Sequence, residues 1–239
     1  MLTTYPVGYT LPNHIPKETR GTYLVPWKFD DEGMLRQRGR LLKSKNGDDK
    51  MPLAQHYMFA GGFNFAPARV IQDVPYDAMG LPHLFFGEEL SMAVRLYTHG
   101  YDLYAPSETV VYHLWSRAHR PPKVTRSNDS EEQKSRQKEM SQGKVKMQLL
   151  EDASMVGVPF GLGRDRTAAQ FAENLGVDFS KKQFIREGFE NGDLTAEEFV
   201  ADGTSSMLHP PDSLEAKIAT LDPNSKAMAT LAKFLGGMM

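Results

Sequence analysis

The sequence contains no cysteine. Disulfides and thiolate-held metal clusters are therefore excluded, and the chain fits a reducing compartment without requiring one. It also lacks any apolar run approaching the ~20 residues that a membrane helix needs. Met1-Leu-Thr-Thr-Tyr-Pro has neither the basic region nor the apolar stretch of a signal peptide. An excess of one charge is missing too: 28 Lys and Arg face 30 Asp and Glu, a formal net charge of −2. Counterion release from a nucleic acid needs a concentrated basic face, so this balance argues against that class of partner.

What is present is enough for a core. The 239 residues are 40 % hydrophobic and 10 % aromatic, which suits one large domain or a domain with an appendage. Residues 1 to about 120 are rich in Gly, Pro and aromatics, with strand-like runs such as "HYMFAGGFNFAPARVI", "YDLYAP" and "TVVYHLW". "LTTYPVGY" reads as an interior strand running into a proline turn. Because it lies directly against Met1, the start of the fold is expected upstream. Residues 121–146 are polar and charged, and read as an exposed loop that becomes a surface helix. Its basic residues Lys134, Arg136, Lys138, Lys144 and Lys146 alternate with acids, as a solvated face does.

Residues 147–239 are expected to hold a string of short helices. Thr195-Ala-Glu-Glu198 fits a capping box, Gly176 and Gly203 are stop glycines, and Ser180 caps "KKQFIREGF". "GLGRDR" lacks both the third glycine of a dinucleotide fingerprint and the Gly-Lys-Ser/Thr of a P-loop. It reads as a turn before a helix starting near Thr167.

The least ordinary stretch is "LFFGEELSMAVRLYTHGYDLY", residues 84–104. Leu90, Ala93, Val94 and Tyr97 fall at i, i+3, i+4 and i+7, one apolar stripe of an amphipathic helix that Gly100 ends. Glu88 and Glu89 then sit in the first turn or just before it, where the helix dipole favours each carboxylate by roughly 0.3–1 kcal/mol. Adjacent acids point in different directions, so one can cap the helix while the other faces a cleft.

The run "FAGGFNFAPARVIQDVPYDAMGLPHLFFGEELSMAVRLYTHGYDLYAPSETVVYHLWSRAHRP" resembles the second half of a GT-A glycosyltransferase domain. More narrowly it resembles the retaining family that adds N-acetylglucosamine to hydroxyproline on a cytoplasmic ubiquitin-ligase subunit. The polypeptide N-acetylgalactosaminyltransferases are its wider relatives. They share a double-Gly strand, a Gly-Gly-Glu-Asn turn opening a helix, and a strand ending in a His with an Arg nearby. The resemblance covers residues 1 to about 120, and extends more weakly through "SRQKEMSQGKVKMQLL" and "GLGRDRTAAQFAENLGVDF".

That resemblance implies an α/β fold: the C-terminal half of a GT-A mixed-sheet domain over 1–120, an exposed charged linker and helix over 121–146, and a helical tail over 147–239. It implies transfer of N-acetylglucosamine from UDP-GlcNAc to a protein hydroxyl of hydroxyproline type, in the cytoplasm. Gly61 and Gly62 would let the sugar lie against the backbone; taken without the other motifs, a glycine pair reads as a β-bulge or tight bend inside a sheet. Gly87, Glu88 and Glu89 would form the turn that meets donor and acceptor. There Glu88 holds the sugar and Glu89 positions the acceptor hydroxyl, since carboxylates accept strong hydrogen bonds and offset oxocarbenium-like charge.

His113 would ligate a divalent cation, Mn²⁺ or Mg²⁺, that neutralises the leaving diphosphate. Arg117 and Arg120 would fork onto the phosphate oxygens, and Trp115 would pack. The acidic metal-binding element of such enzymes has no counterpart here, because Asp30-Asp31 and Asp48-Asp49 lie in loop-like contexts. The chain is accordingly expected to be either part of a transferase or an inactive relative that binds glycan or protein. A helical interaction module within 147–239 is the third reading.

Overall fold

The computed structural model describes residues 1–10, 14–17, 19–42, 53–116 and 129–185, all within the unit Met1–Gly203. Its centre is a short mixed sheet. β1 (Leu2–Thr3) runs parallel to β7 (Leu103–Ala105) on one side and antiparallel to β6 (Asn64–Phe65) on the other. β5 (Ala54–His56) pairs antiparallel with the far side of β7. β1 is thus the interior strand its β-branched residues predict. Pro6, with no N–H to offer a ladder, separates it from β2 (Val7–Gly8), which pairs in parallel with β8 (Tyr112–His113).

Thr3 does more than occupy a strand. Its buried hydroxyl accepts from the Ala60 N–H at 2.9 Å, and Thr4 N–H donates to Phe63 O at 3.2 Å. These bonds staple the Gly61–Gly62 turn to the start of the chain. Beside the sheet stands a longer hairpin, β3 (Thr22–Phe29) with β4 (Leu35–Leu41), whose register slips between Pro26 and Lys28. A proline inside a strand forfeits a ladder bond, and a bulge accommodates that. Asp30 closes the hairpin, its Oδ1 accepting from the N–H groups of Glu32 and Met34 at 3.1 and 2.9 Å. Asp48 and Asp49 lie outside the described residues.

Four α-helices occur among the described residues: α1 (Arg69–Asp73), α2 (Glu88–Thr98), α3 (Glu131–Leu149) and α4 (Ala168–Leu175). The molecule is therefore mixed α/β. Glu88 and Glu89 open α2, and Gly100 follows its end with φ of 81°, as expected. The single apolar stripe is a correction: every residue of α2 from Leu90 to Thr98 is buried. α3 and α4 cover the face that periodicity alone leaves polar. They also satisfy it, with Ser91 donating to Gln148 at 2.6 Å and Asn174 donating to Tyr97 at 2.8 Å.

α3 begins with a capping box on Ser130 and carries exposed Lys134–Glu131 and Arg136–Glu132 pairs, the solvated face expected of it. Lys144 departs from that face and pairs with the buried carboxylate of Asp77. α4 starts from a Thr167 capping box and stops at Gly176, φ 67°. Beyond it the chain forms a hairpin, β9 (Val177–Asp178) with β10 (Gln183–Phe184), where a helix capped by Ser180 was expected. The Asp178 carboxylate takes the Ser180 hydroxyl at 2.6 Å and the Lys181 N–H at 3.0 Å, which bends the chain back. Phe179 and Phe184 then pack edge-on against Phe29. The capping box at Thr195–Glu198 and the stop at Gly203 lie outside the described residues.

Candidate active site

Gly87 precedes α2 with φ of 119°, a conformation that only glycine adopts without strain. A side chain there would also meet Met34 Sδ at 3.2 Å. The turn it permits launches two carboxylates in different directions, and neither makes a capping bond to the helix.

Glu89 turns toward the sheet and is held by three donors. Its Oε1 accepts from Gly61 N–H at 2.8 Å, and its Oε2 from Tyr5 Oη at 2.5 Å and Gln37 Nε2 at 2.8 Å. Gln37 Nε2 also donates to Phe59 O at 2.7 Å, which fixes the amide's orientation because a carbonyl only accepts. The Tyr5 hydroxyl is pushed up, first by burial and then by the charge of Glu89, so it persists as a donor. A carboxylate offers about four acceptor positions, and the fourth, on Oε1, meets no donor among the described residues.

Glu88 accepts no hydrogen bond from the described residues. It is half-buried and lines a cavity of about 210 Å³ together with Tyr76, Ser91, Met92 and Arg95. Burial pushes its carboxyl up, and the charge of Glu89 adds to that. Tyr76 is itself pushed up to about 12 by burial and by both glutamates. One carboxylate is thus committed to protein groups and the other is presented to space.

Both converge on one glycine. A Cβ on Gly61 would lie 3.6 Å from Glu89 Oε1 and 3.7 Å from Glu88 Oε1, with no backbone beside it. Gly61 and Gly62 form an exposed two-residue turn, so the tight-bend reading holds, and the bend leaves open backbone in front of two carboxylates. Gly62 adjoins Pro6, whose Cδ is 3.4 Å from where its Cβ would be.

His113 reaches the same region through aromatic contacts. Its ring lies 4.3 Å from that of Trp115, whose other ring neighbour is Tyr5 at 6.0 Å and whose indole N–H donates to Pro6 O at 3.2 Å. Gly8 makes room for the indole, since a side chain there would come within 2.9 Å of it. Packing therefore accounts for one side of Trp115, yet the residue is 51 % exposed. His113 Nδ1 is buried and has no hydrogen-bond partner among the described residues. No group of three or more His, Cys, Asp or Glu that could hold a metal ion gathers among the described residues, and a single histidine does not make a cation site. Arg117 and Arg120 lie outside the described residues.

Sequence reasoning did not single out Tyr5, Gln37, Tyr76 or Arg95. Tyr5 and Gln37 sit 84 and 52 positions from Glu89, and no local pattern announces such a contact. A signal for Arg95 was available, because a charge inside a predicted helix at i+7 from Glu88 lies on the same face.

The family model described as Glycosyltransferase (GlcNAc) matches residues 1–181, a span running from β1 through α4 and β9. No curated protein and no solved structure matches the chain. No described helix is long and apolar enough to cross a membrane.

Proposed function

The chain belongs to the glycosyltransferase (GlcNAc) family, and on that premise we propose that it moves N-acetylglucosamine from UDP-GlcNAc onto a protein hydroxyl of hydroxyproline type. In this reading the scaffold is GT-A, the setting cytoplasmic, and the anomeric configuration retained. The observation that carries the site is the bare Gly61 turn facing both Glu88 and Glu89. Glu88, with no donor among the described residues, takes the sugar hydroxyls. Glu89, clamped by three donors, has its remaining lone pair on the oxygen facing that turn and orients the acceptor hydroxyl. Engagement by three donors suits positioning better than nucleophilic attack.

In a front-face displacement the acceptor oxygen bonds to the anomeric carbon as the bond to the diphosphate breaks. The acceptor proton leaves on a diphosphate oxygen. A Mn²⁺ or Mg²⁺ ion is part of the proposal, with His113 as one ligand, and would neutralise the departing diphosphate. The test is incubation with UDP-GlcNAc, Mn²⁺ and a hydroxyproline peptide, with the product read by mass and by anomeric coupling in NMR. An α-linked product from the α-linked donor upholds the reading. A β-linked product overturns retention. Donor binding without turnover is the result expected of an inactive glycan- or protein-binding relative.

A further inference from the structure

The cavity beside Glu88 has features that sugar hydroxyls alone do not explain. Glu88, Ser91, Met92 and Arg95 line it at i, i+3, i+4 and i+7, so it runs along one side of α2 from the carboxylate inward, on the order of 10 Å. At its inner end Arg95 is only 2 % exposed. Its guanidinium donates to Pro75 O at 2.8 Å and lies 5.9 Å from the Phe160 ring, while its Nε is sealed from solvent; among the described residues Nε has no hydrogen-bond partner and no carboxylate pairs with the group. Buried guanidinium groups are ordinarily paired, because an unmatched buried charge is costly. Asp77, whose charge acts on Arg95, is already held by Lys144.

We infer that this cavity is the pocket for the 2-acetamido group of the donor sugar, with Arg95 gripping the amide carbonyl. The inference rests on the proposed sugar transfer. Charge selects the ligand class. Arg95 and Lys144 are balanced by Asp77 and Glu88, so an anion would leave the pocket negative, whereas a neutral acceptor fits. Shape selects the rest: Leu81, Leu84 and Met92 supply apolar wall beside the guanidinium, which suits a methyl joined to a carbonyl. A 2-hydroxyl in that place would leave the apolar walls unmet, and a site shaped for one group discriminates against analogues that lack it.

Saturation-transfer NMR on the whole chain, with UDP-GlcNAc and UDP-glucose as probes, tests this directly. The acetyl methyl should receive the strongest saturation, and UDP-glucose should bind at least tenfold more weakly. Arg95→Gln should collapse that ratio. Because Arg95 is buried, Ala78→Phe is the second variant: Ala78 is exposed and lines the cavity, so the change fills the pocket from outside the core. It should cut UDP-GlcNAc binding at least tenfold and spare UDP-glucose. A methyl that receives no preferential saturation, or an unchanged ratio in Ala78→Phe, overturns the pocket. Methyl contact without turnover leaves the pocket standing and removes the transferase reading. Equal transfer from both donors does the reverse.

Discussion

Tyr5 and Glu89, 84 positions apart, meet at 2.5 Å across the junction of sheet and helix. Through this bond the segment between β1 and β2, the β3–β4 hairpin and α2 share one carboxylate, since Gln37 donates to the same oxygen. The contact also ties the glutamate pair to the aromatic stack that ends at His113. A residue that reads as strand filler thus touches both Glu89 and the Trp115 ring that packs on His113.

Tyr5→Phe should therefore be costly beyond its size. The ring is kept, but a donor to a carboxylate goes, which typically costs about 1–2 kcal/mol when the site is half-buried. Urea unfolding would measure it. Donor turnover should fall with it, because Glu89 loses one of its three fixed contacts. Unchanged stability would mean that the bond carries no weight in solution.

Glu88→Gln separates function from stability. Burial and Glu89 raise the Glu88 carboxyl above its usual 4.5, so the folded state holds that proton more tightly than the unfolded state. Ionisation therefore disfavours the fold. The cost is absent well below 4.5, grows as pH rises through the mildly acidic range, and levels off above the folded value. Glutamine cannot ionise, so the variant's Tm advantage over the wild type should follow that same profile. Its turnover should drop on the order of 10²-fold, the usual consequence of misplacing a substrate. A Tm difference that does not vary with pH would contradict the assigned environment.

How much of this was legible depends on how far each contact reaches along the chain. The start of α2 after Gly87, its stop at Gly100 and the Thr167 cap are set by neighbouring residues, and each stands where local chemistry puts it. The failures were non-local. A one-sided helix became a core helix because α3 and α4 arrive from beyond Glu131, more than 30 positions after α2 ends at Thr98. "KKQFIREGF" opens as a strand because Phe184 finds Phe29. The glutamates were legible as a pair that points in different directions, but which of them the protein groups engage was not: it depends on Tyr5 and Gln37 choosing Glu89.

The cation can be tested apart from the carboxylates. EDTA should stop transfer and Mn²⁺ restore it. His113→Ala should raise the Mn²⁺ needed for half-maximal rate by roughly 10–100-fold, the usual effect of weakening a metal site. A variant with the wild-type Mn²⁺ response would take His113 out of the metal's shell and leave it as a packing partner of Trp115.

Two glycines make the sharpest comparison, because their substitutions should fail for opposite reasons. Gly87→Ala forces an alanine to φ near 119° and brings its methyl to within 3.2 Å of Met34 Sδ. Strain of this kind costs about 1–3 kcal/mol, so the loss should appear as a lower Tm. Gly61→Ala meets no such penalty: its backbone is ordinary, and its new methyl would stand 3.6 Å from the nearest atom, a Glu89 oxygen. Stability should change by no more than about 0.5 kcal/mol. The methyl does, however, occupy the open space in front of both carboxylates, so KM for UDP-GlcNAc should rise at least tenfold while Tm holds. If Gly61→Ala binds donor as the wild type does, the sugar does not lie on this turn, and the roles proposed for Glu88 and Glu89 fall together.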